Sequence, residues 1–507
     1  MKFLAAGASL LHTVSAMNFR KKFSFAMPWV LGVASLLSCA APPAYADSWT
    51  YKLVEGSYLV DDCPVCERAT IREPMRGSFD LVLLEVNPLF SRYALQNISF
   101  SAGYSNGLQY KVTGSGYYQV GGEVALVQQM TLQVAINNGF TNKLCYFTSG
   151  PQAVDRPWPM IHISVTQTNG TFTQVYSLDL AAAPLREIWF STAGPFTAGI
   201  WQSPTNHISG GDLLSSAGRV VKRNADLTRN LGIMPIAPDV GLDAVDIIAG
   251  GEIVFSINQD VFSETLGPLH HGDLLSNRGK VVKRNQELLA AFQPQSTNFD
   301  AGLDAVQMMS DGSILFSIAT NVLAGDGTTL SHGDILTDRG EIFRSNRQLL
   351  ARFHPAETNK SFGLDALYVW PSGEIWFSTE QGFQDAYLGA ILAGDLLSDQ
   401  GYRVYGNLGL TSGFAPLEDA ADFGLDALFV VTDFRQLAAP PRLLGLDWVP
   451  GGGGLAVGWL GQGCVFQLER AADVSGPFFP LSPLIPDSSF NDTQANQPQF
   501  FYRLRQW

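Results

Sequence analysis

The sequence predicts an all-β protein built around an array of four repeated units. Gly-Leu-Asp-Ala occurs at residues 241–244, 302–305, 363–366 and 424–427, always 61 residues apart. A second marker, Gly-Asp followed by Leu or Ile and then Leu, keeps this period, with its aspartates at Asp212, Asp273, Asp334 and Asp395. A third, Phe-Ser, has its serines at 191, 256, 317 and 378, with a first interval of 65 residues. Markers locked to one period indicate an internal array.

Each unit carries the signals for four short strands. Residues 364–370 are rich in β-formers, a Pro-Ser-Gly turn follows, and residues 374–379 form a second candidate strand. The Gly-Asp marker opens a third strand, and a fourth, such as residues 280–283, precedes a recurring Asn that we expect to cap a helix. Four short strands per unit, repeated head to tail, are typical of a β-propeller blade.

The array is predicted to span residues 177–433. Ser177 to Leu180 is interpreted as a decayed copy of Gly-Leu-Asp-Ala, and residues 425–431 supply a strand beyond the last Phe-Ser. A ring closes best when one blade borrows a strand from elsewhere, so a closed ring of four blades is favoured. A five-bladed ring that uses part of the N-terminal region and an open solenoid are the alternatives.

The regions on either side of the array lack its period. Residues 47–176 contain alternating runs at 108–112 and 130–136 and are predicted to form a β-sandwich-like domain. Residues 434–441 have a linker composition, and residues 442–507 hold about five strand candidates that predict a small C-terminal β-sandwich.

The N-terminus predicts export. Residues 20–22 are Arg-Lys-Lys, an apolar run follows from 23 to 37, and Ala44-Tyr45-Ala46 offers a cleavage site, so residues 1–46 are interpreted as a signal peptide. Translation from Met17 and lipidation of Cys39 are open alternatives. No later segment has about 18 consecutive apolar residues, so no transmembrane helix is expected. The predicted location is secreted, extracellular or at the cell surface.

Composition narrows the class of partner. The net charge is −14, and such an acidic chain repels phosphate backbones, so nucleic-acid binding is not expected. Hydrophobic residues make up 46 % of the chain and charged residues 15 %, which is enough apolar surface for folded domains rather than disorder.

Two resemblances follow from these motifs. The units, with Gly-Leu-Asp-Ala and Gly-Glu-Ile-Trp-Phe-Ser, resemble repeats of exported bacterial proteins of unassigned function, which implies a propeller-like fold and an extracellular location but no reaction. The tail resembles a fibronectin-like module, through residues 465–470, 476–478 and 501–504.

The repeated aspartates are the first candidates for chemistry. One set is Asp243, Asp304, Asp365 and Asp426, and the other follows the Gly-Asp marker. Rings of carboxylates bind Ca²⁺. An Asp beside Gly also accepts backbone N–H groups in turns, and a residue kept in every unit serves the unit, so a structural role is favoured for both sets and no cofactor is predicted, with calcium as the alternative.

Other candidates lie in single units. His271 with Asp273 and His332 with Asp334 are possible metal ligands in neighbouring units, although ordinary loop histidines are the favoured interpretation. The loops after each Phe-Ser differ between units, and their Trp201, Asp260, Phe262, Asp385 and Tyr387 are predicted to bind a ligand.

The cysteines predict a structural bond. Cys63 and Cys66 form a Cys-x-x-Cys pair, but a zinc site would need a second pair, and Cys145 and Cys464 are solitary and distant. The β-rich context does not suit a thioredoxin-like redox centre. A disulfide within the pair or with Cys145 is favoured.

Three functions remain open from the sequence. The favoured one is a secreted or surface binding protein whose propeller loops engage a glycan, a peptide or a partner protein. The alternatives are a polysaccharide-acting enzyme with carboxylate acid/base chemistry and a structural surface component. No serine-histidine-aspartate arrangement or phosphate loop is found in the sequence, so no catalytic residue is assigned and an enzyme is not favoured.

Overall fold

The computed structural model describes residues 48–507 except 104–107, 124, 236, 238, 297–299, 359, 435–438, 450–452 and 496–498. This part of the chain is all-β, with many antiparallel sheets and four short α-helices. The predicted signal peptide, Met17 and Cys39 lie outside the described residues, as does part of the predicted linker. Within the described ranges, no helix has the length and apolarity needed to cross a membrane.

Ten strands of the N-terminal region form one antiparallel sheet. They are β1 (Ser48–Leu53), β2 (Tyr58–Asp62), β3 (Ile71–Val86), β4 (Phe90–Ala102), β5 (Tyr110–Gly121), β6 (Val127–Asn137), β7 (Asn142–Thr148), β8 (Gln152–Ala153), β9 (Ile161–Gln167) and β10 (Val175–Ala183). The strand order is β1-β10-β2-β3-β4-β5-β6-β7-β9, with β8 beside β6, and β1 also pairs with β3.

Two sequence expectations for this region differ from the structure. The strands do not divide into the two sheets of a sandwich, because β10 pairs with both β2 and β9 and joins them in one sheet. Ser177 to Leu180 lie in β10, so they belong to this sheet rather than to the repeated units. The alternation predicted for residues 130–136 places Met130, Leu132 and Val134 in the buried cluster of the region.

Four four-stranded antiparallel sheets follow, one for each repeated unit. The first sheet contains β11 (Glu187–Phe190), β14 (Leu213–Ser215), β15 (Arg219–Lys222) and β34 (Leu428–Val431); the second β16 (Val245–Ile248), β17 (Glu252–Phe255), β20 (Leu274–Ser276) and β21 (Lys280–Lys283); the third β22 (Ala305–Met308), β23 (Ile314–Ser317), β26 (Ile335–Thr337) and β27 (Ile342–Arg344); and the fourth β28 (Ala366–Val369), β29 (Ile375–Ser378), β32 (Leu396–Ser398) and β33 (Tyr402–Tyr405). The strand β34 comes from the end of the array and pairs with β11 at its beginning.

Each unit also carries a two-stranded hairpin and a short helix. The hairpins are β12 (Phe196–Thr197) with β13 (His207–Ile208), β18 (Val261–Ser263) with β19 (Gly267–Leu269), β24 (Val322–Leu323) with β25 (Thr329–Leu330), and β30 (Phe383–Asp385) with β31 (Gly389–Ile391). The helices are α1 (Asn224–Thr228), α2 (Asn285–Leu289), α3 (Asn346–Leu349) and α4 (Asn407–Thr411), and 3₁₀ turns at Ala290–Phe292 and Ser412–Phe414 extend α2 and α4.

The sequence predicts that the recurring Asn caps each helix. In the structure this Asn is instead the first residue of the helix. The Asn285 side chain instead donates to the carbonyls of Gly272 and Gly302 and accepts from the Ala301 N–H. It therefore ties the helix to the Gly-Leu-Asp-Ala turn that follows, a long-range role that helix-cap preferences do not encode.

Contacts between neighbouring sheets run through the whole set of four. The Phe-Ser hydroxyl of each unit donates to the leucine carbonyl of the next Gly-Leu-Asp-Ala: Ser191 to Leu242 (2.7 Å), Ser256 to Leu303 (2.7 Å), Ser317 to Leu364 (3.1 Å) and Ser378 to Leu425 (2.8 Å). Strands β16, β22, β28 and β34 lie beside one another in a cycle, in which β34 also contacts β16. A buried cluster that contains Phe190 of the first sheet and Trp376 of the fourth continues this packing between the two ends of the array.

The C-terminal strands form two three-stranded sheets around one buried cluster. The strands are β35 (Arg442–Trp448), β36 (Leu455–Leu460), β37 (Phe466–Ala471), β38 (Phe479–Pro480), β39 (Ser489–Asp492) and β40 (Phe501–Gln506), in the orders β35-β36-β39 and β38-β37-β40. Trp507 and Val465 pack in the cluster between the first and second sheets, and the Trp507 indole N–H donates to Asp433 (2.6 Å). The tail is thus attached to the array.

Candidate functional site

The Gly-Leu-Asp-Ala turn fixes where its aspartate lies. Gly363 has a φ of 74°, in the left-handed region that glycine adopts without strain, and a Cβ there would lie 2.2 Å from the carboxyl carbon of Glu380. Leu364 is fully buried, and Asp365 follows it directly before β28. The same backbone conformation recurs in the other three copies.

The four aspartates of this turn converge on one cavity. Its volume is about 240 Å³, and it is lined by Asp243, Asp304, Ala319, Asp365, Glu380 and Asp426. One carboxylate oxygen from each of Asp304, Asp365 and Glu380 lies within 4.8 Å of the others. We call these five carboxylates and Ala319 the central acidic cavity.

The two sets of repeated aspartates have different surroundings. In the Gly-Asp set, Asp273 accepts the backbone N–H groups of His270 and Asn285 and pairs with Arg284 (2.6 Å), which is the structural role that the sequence favours. No described residue donates a hydrogen bond to the side chains of the other set. Asp304 is only 8 % exposed, and its carboxylate faces the cavity. Hydrogen bonding within a turn therefore accounts for the Gly-Asp aspartates but not for the Gly-Leu-Asp-Ala aspartates.

Burial and mutual repulsion raise the pKa values in the cavity. Burial, and then the charges of Asp426, Glu380 and Asp243, raise the pKa of Asp365 to about 9. Burial is also the main cause that raises the pKa of Asp426 to about 7 and that of Asp304 well above its usual range. Like charges that share a desolvated site cannot all ionise without a counter-charge.

Two histidines border the cavity. The His332 ring lies 3.0 Å from Glu380, and this contact opposes the rise that burial causes in the Glu380 pKa. For Asp243, burial raises the pKa to about 6 while His271 acts in the opposite direction. The structure thus brings the two predicted histidines to the cavity, whereas their sequence neighbours, Asp273 and Asp334, accept backbone N–H groups of their own turns.

The predicted loop residues fall into two groups. Trp201, Phe262 and Tyr387 are 68 %, 55 % and 80 % exposed and lie in three different hairpins. Asp260 is bound to the rings of His270 and His271 at 3.0 Å.

Asp385 differs from the other loop candidates, because it is almost fully buried. It accepts the N–H groups of His354, Tyr387 and Leu388. Its carboxylate therefore fixes the backbone of its hairpin.

Three of the four hairpins have an end close in sequence to residues at the cavity. Ala319 and Glu380 line it and each lies three residues before a hairpin, β24 and β30. His271 and His332 each lie two residues after a hairpin, β19 and β25. The hairpins β18–β19, β24–β25 and β30–β31 are therefore anchored close to the central acidic cavity.

The cysteines lie away from this cavity. Cys63 and Cys66 are joined in a disulfide, whereas Cys145 is a buried free thiol in β7. Of the two pairings that the sequence leaves open, the structure contains the one within the Cys-x-x-Cys pair.

Sequence reasoning misses Glu380. A signal exists, because the second residue after Phe-Ser is Ala193, Asn258, Ala319 and Glu380 in the four units. Only one unit places a carboxylate there, so Glu380 adds one unrepeated carboxylate to the four repeated aspartates. The sequence does not show that this position faces the cavity.

Comparisons with known proteins place the chain in no family. No protein-family model matches it, and no curated protein matches it. Among solved structures, PorZ, a surface component of the type-IX secretion system of Porphyromonas gingivalis, is 10 % identical with a TM-score of 0.19, over 86 % of this chain and 89 % of that chain. The extracellular domains of two hybrid two-component systems of B. thetaiotaomicron, BT3049 and BT4673, are 8 % and 9 % identical, with TM-scores of 0.18 and 0.17. These matches cover 88 % and 83 % of this chain and 82 % and 74 % of those chains. TM-scores this low carry no argument about the fold or the function.

Proposed function

We propose that this chain is an exported binding protein whose four hairpins and central acidic cavity form one ligand-binding face. The observation that carries this proposal is the anchoring of three of the four variable hairpins close to a cavity lined by five carboxylates. Variable loops on a rigid scaffold are the usual place for binding residues. The exposed aromatic rings of Trp201, Phe262 and Tyr387 and the carboxylates of the cavity suit a glycan, with apolar faces and hydroxyl groups, as the ligand.

The scaffold that carries this binding face is proposed to be a four-bladed propeller. The pairing of β34 with β11 and the Ser378–Leu425 hydrogen bond support a ring closed by the last strand of the array. We further propose that the N-terminal sheet and a fibronectin-like tail flank this propeller. Glu187 in β11, rather than residue 177, is then its first strand residue.

The proposed location is extracellular or at the cell surface. Its support is the sequence of residues 1–46, with a positive region, an apolar run and Ala44-Tyr45-Ala46. Lipidation at Cys39 is the alternative way of reaching the surface. Mass spectrometry of the N-terminus from the native membrane and culture medium distinguishes the two.

Glycan retention tests the binding face. The purified protein is incubated with a panel of soluble and insoluble polysaccharides, and retained protein and released reducing ends are measured from the same tubes. We expect retention on at least one polysaccharide without release. Replacing Trp201, Phe262 and Tyr387 with Ala should lower the retained fraction at least tenfold, because stacking contacts of about 1 kcal/mol each are lost.

A matched variant separates loss of glycan binding from loss of nonspecific adsorption by exposed aromatic rings. Phe140 is 87 % exposed but lies in the N-terminal region, so Phe140→Ala should leave retention unchanged. If the triple variant is retained like the unchanged protein, the hairpins are not the binding face. If no polysaccharide is retained, the glycan proposal fails and a protein partner or a structural role takes its place.

Release of reducing ends would support the enzyme alternative. One observation favours it, since Glu380 is a single asymmetric carboxylate in a cavity where pKa values are raised, as a general acid requires. In that case Glu380→Gln abolishes release from a protein that circular dichroism shows to be folded. Retention without release supports the binding function instead.

A further inference from the structure

We propose that the central acidic cavity is a calcium site, with Asp304, Asp365 and Glu380 as its protein ligands. The inference rests on the proposed function in that both use this cavity, and it adds the identity of a resident ion. Calcium would hold the face together at the point where the four sheets meet.

The distances between the carboxylates fit one ion. Calcium takes oxygen ligands at about 2.4 Å, so two oxygens on one ion are at most about 4.8 Å apart. The three oxygens of Asp304, Asp365 and Glu380 satisfy this limit pairwise. A cavity of about 240 Å³ also has room for the ion and for waters that complete its six to eight ligands.

An unpartnered buried carboxylate is the independent observation that points to a ligand. Asp304 is 8 % exposed, faces the cavity and receives no hydrogen bond from any described residue. Other buried carboxylates of the array have partners, such as Asp273 with Arg284 and Glu252 with Lys280 and Arg278. Because an uncompensated buried charge is strongly unfavourable, a counter-ion in the cavity explains Asp304.

The donor set selects the kind of metal. The lining residues offer only carboxylate oxygens, with no thiolate or imidazole among them, and hard cations prefer oxygen. Magnesium demands strict octahedral geometry at about 2.1 Å and keeps most of its waters, so it makes poor use of several carboxylates. Calcium tolerates the irregular arrangement of two aspartates from the ring and one glutamate from a loop.

Isothermal titration calorimetry with calcium alone tests the site. The full exported chain is stripped with EDTA, dialysed and titrated with CaCl₂, with MgCl₂ as a comparison. We expect one calcium per chain, at least tenfold preference over magnesium, and a raised Tm in the presence of calcium. Glu380→Gln and Asp365→Asn should each weaken calcium binding at least tenfold.

The control variant changes a carboxylate outside the cavity. Asp326→Asn removes an exposed carboxylate at the tip of the neighbouring hairpin and should leave calcium binding unchanged. Circular dichroism shows whether each variant is folded. Absence of both heat and a Tm shift with the unchanged protein at millimolar calcium, or unaltered affinity in folded Glu380→Gln, overturns the site.

The calcium proposal and the binding proposal fail separately. Polysaccharide retention that persists in EDTA together with no calcium binding overturns the calcium site alone. Calcium binding that is intact in a protein retaining no polysaccharide overturns the glycan proposal alone.

Discussion

At the scale of single residues, each repeated unit carries two recurring aspartates, one in Gly-Asp and one in Gly-Leu-Asp-Ala, with opposite effects on stability. Asp395 accepts the N–H groups of Leu392 and Asn407 and pairs with Arg403. Asp426, in the turn that follows, lies in the central acidic cavity with other carboxylates as neighbours. The first stabilises its unit, whereas the second costs stability unless its charge is compensated.

Asp426→Asn should stabilise the protein in EDTA. The pKa of Asp426 is raised to about 7, from an ordinary value near 4, so the native state keeps a proton that the unfolded chain releases. The unfolding free energy therefore falls as the pH rises from about 4 to about 7, and the neutral amide removes this loss. Urea unfolding at pH 4 and pH 8 should show a gain of roughly 1–3 kcal/mol at pH 8 only.

The same substitution at Asp395 should lower the free energy of unfolding instead of raising it. Asp395→Asn loses the ion pair with Arg403 and weakens the bonds to two backbone N–H groups, which should cost about 1–2 kcal/mol at pH 8. Equal effects of the two substitutions would contradict the distinction between the two sets.

At the scale of elements, the units interlock through one recurring hydrogen bond. Each Phe-Ser hydroxyl reaches the leucine carbonyl of the next unit, so the serine is a connector and not a nucleophile. The sequence predicts four strands per unit from period, glycine turns and β-formers, and the four sheets have them. It does not predict the hairpins or that Asn285 begins its helix, because these depend on contacts between units.

Serine-to-alanine substitutions measure this connection and its closure. Ser256→Ala and Ser378→Ala should each lower the unfolding free energy by about 1 kcal/mol, since each leaves a buried carbonyl without its donor. Ser310→Ala, at an exposed turn, should change it by less than about 0.5 kcal/mol. If Ser256→Ala destabilises and Ser378→Ala does not, the fourth sheet is not joined to the first.

At the scale of the whole molecule, the array places scattered residues at one point. Asp243 and Asp426 are far apart in sequence, and only the cycle of β16, β22, β28 and β34 brings their side chains to one cavity. Single-unit reasoning therefore assigns them to turns, and it overlooks Glu380 altogether. The arrangement of the N-terminal strands cannot be predicted from the sequence for a similar reason. Strand β10 pairs with β2, which lies more than a hundred residues earlier in the chain.

The last strand of the array, β34, should determine the thermal stability of the array and the protection of β11 from hydrogen exchange. A chain that ends at Asp433 keeps β34 beside β11, whereas one that ends at Phe423 leaves β11 with an unpaired edge and removes Asp426 from the cavity. Both chains lack the C-terminal sheets, so the packing of Trp507 and Val465 is lost equally from each. We expect the longer chain to unfold in one cooperative transition and the shorter one to melt at a lower temperature. Hydrogen exchange should then be faster in residues 187–190 of the shorter chain, because their ladder partners are gone. Equal protection of these residues in the two chains would show that β34 does not close the array.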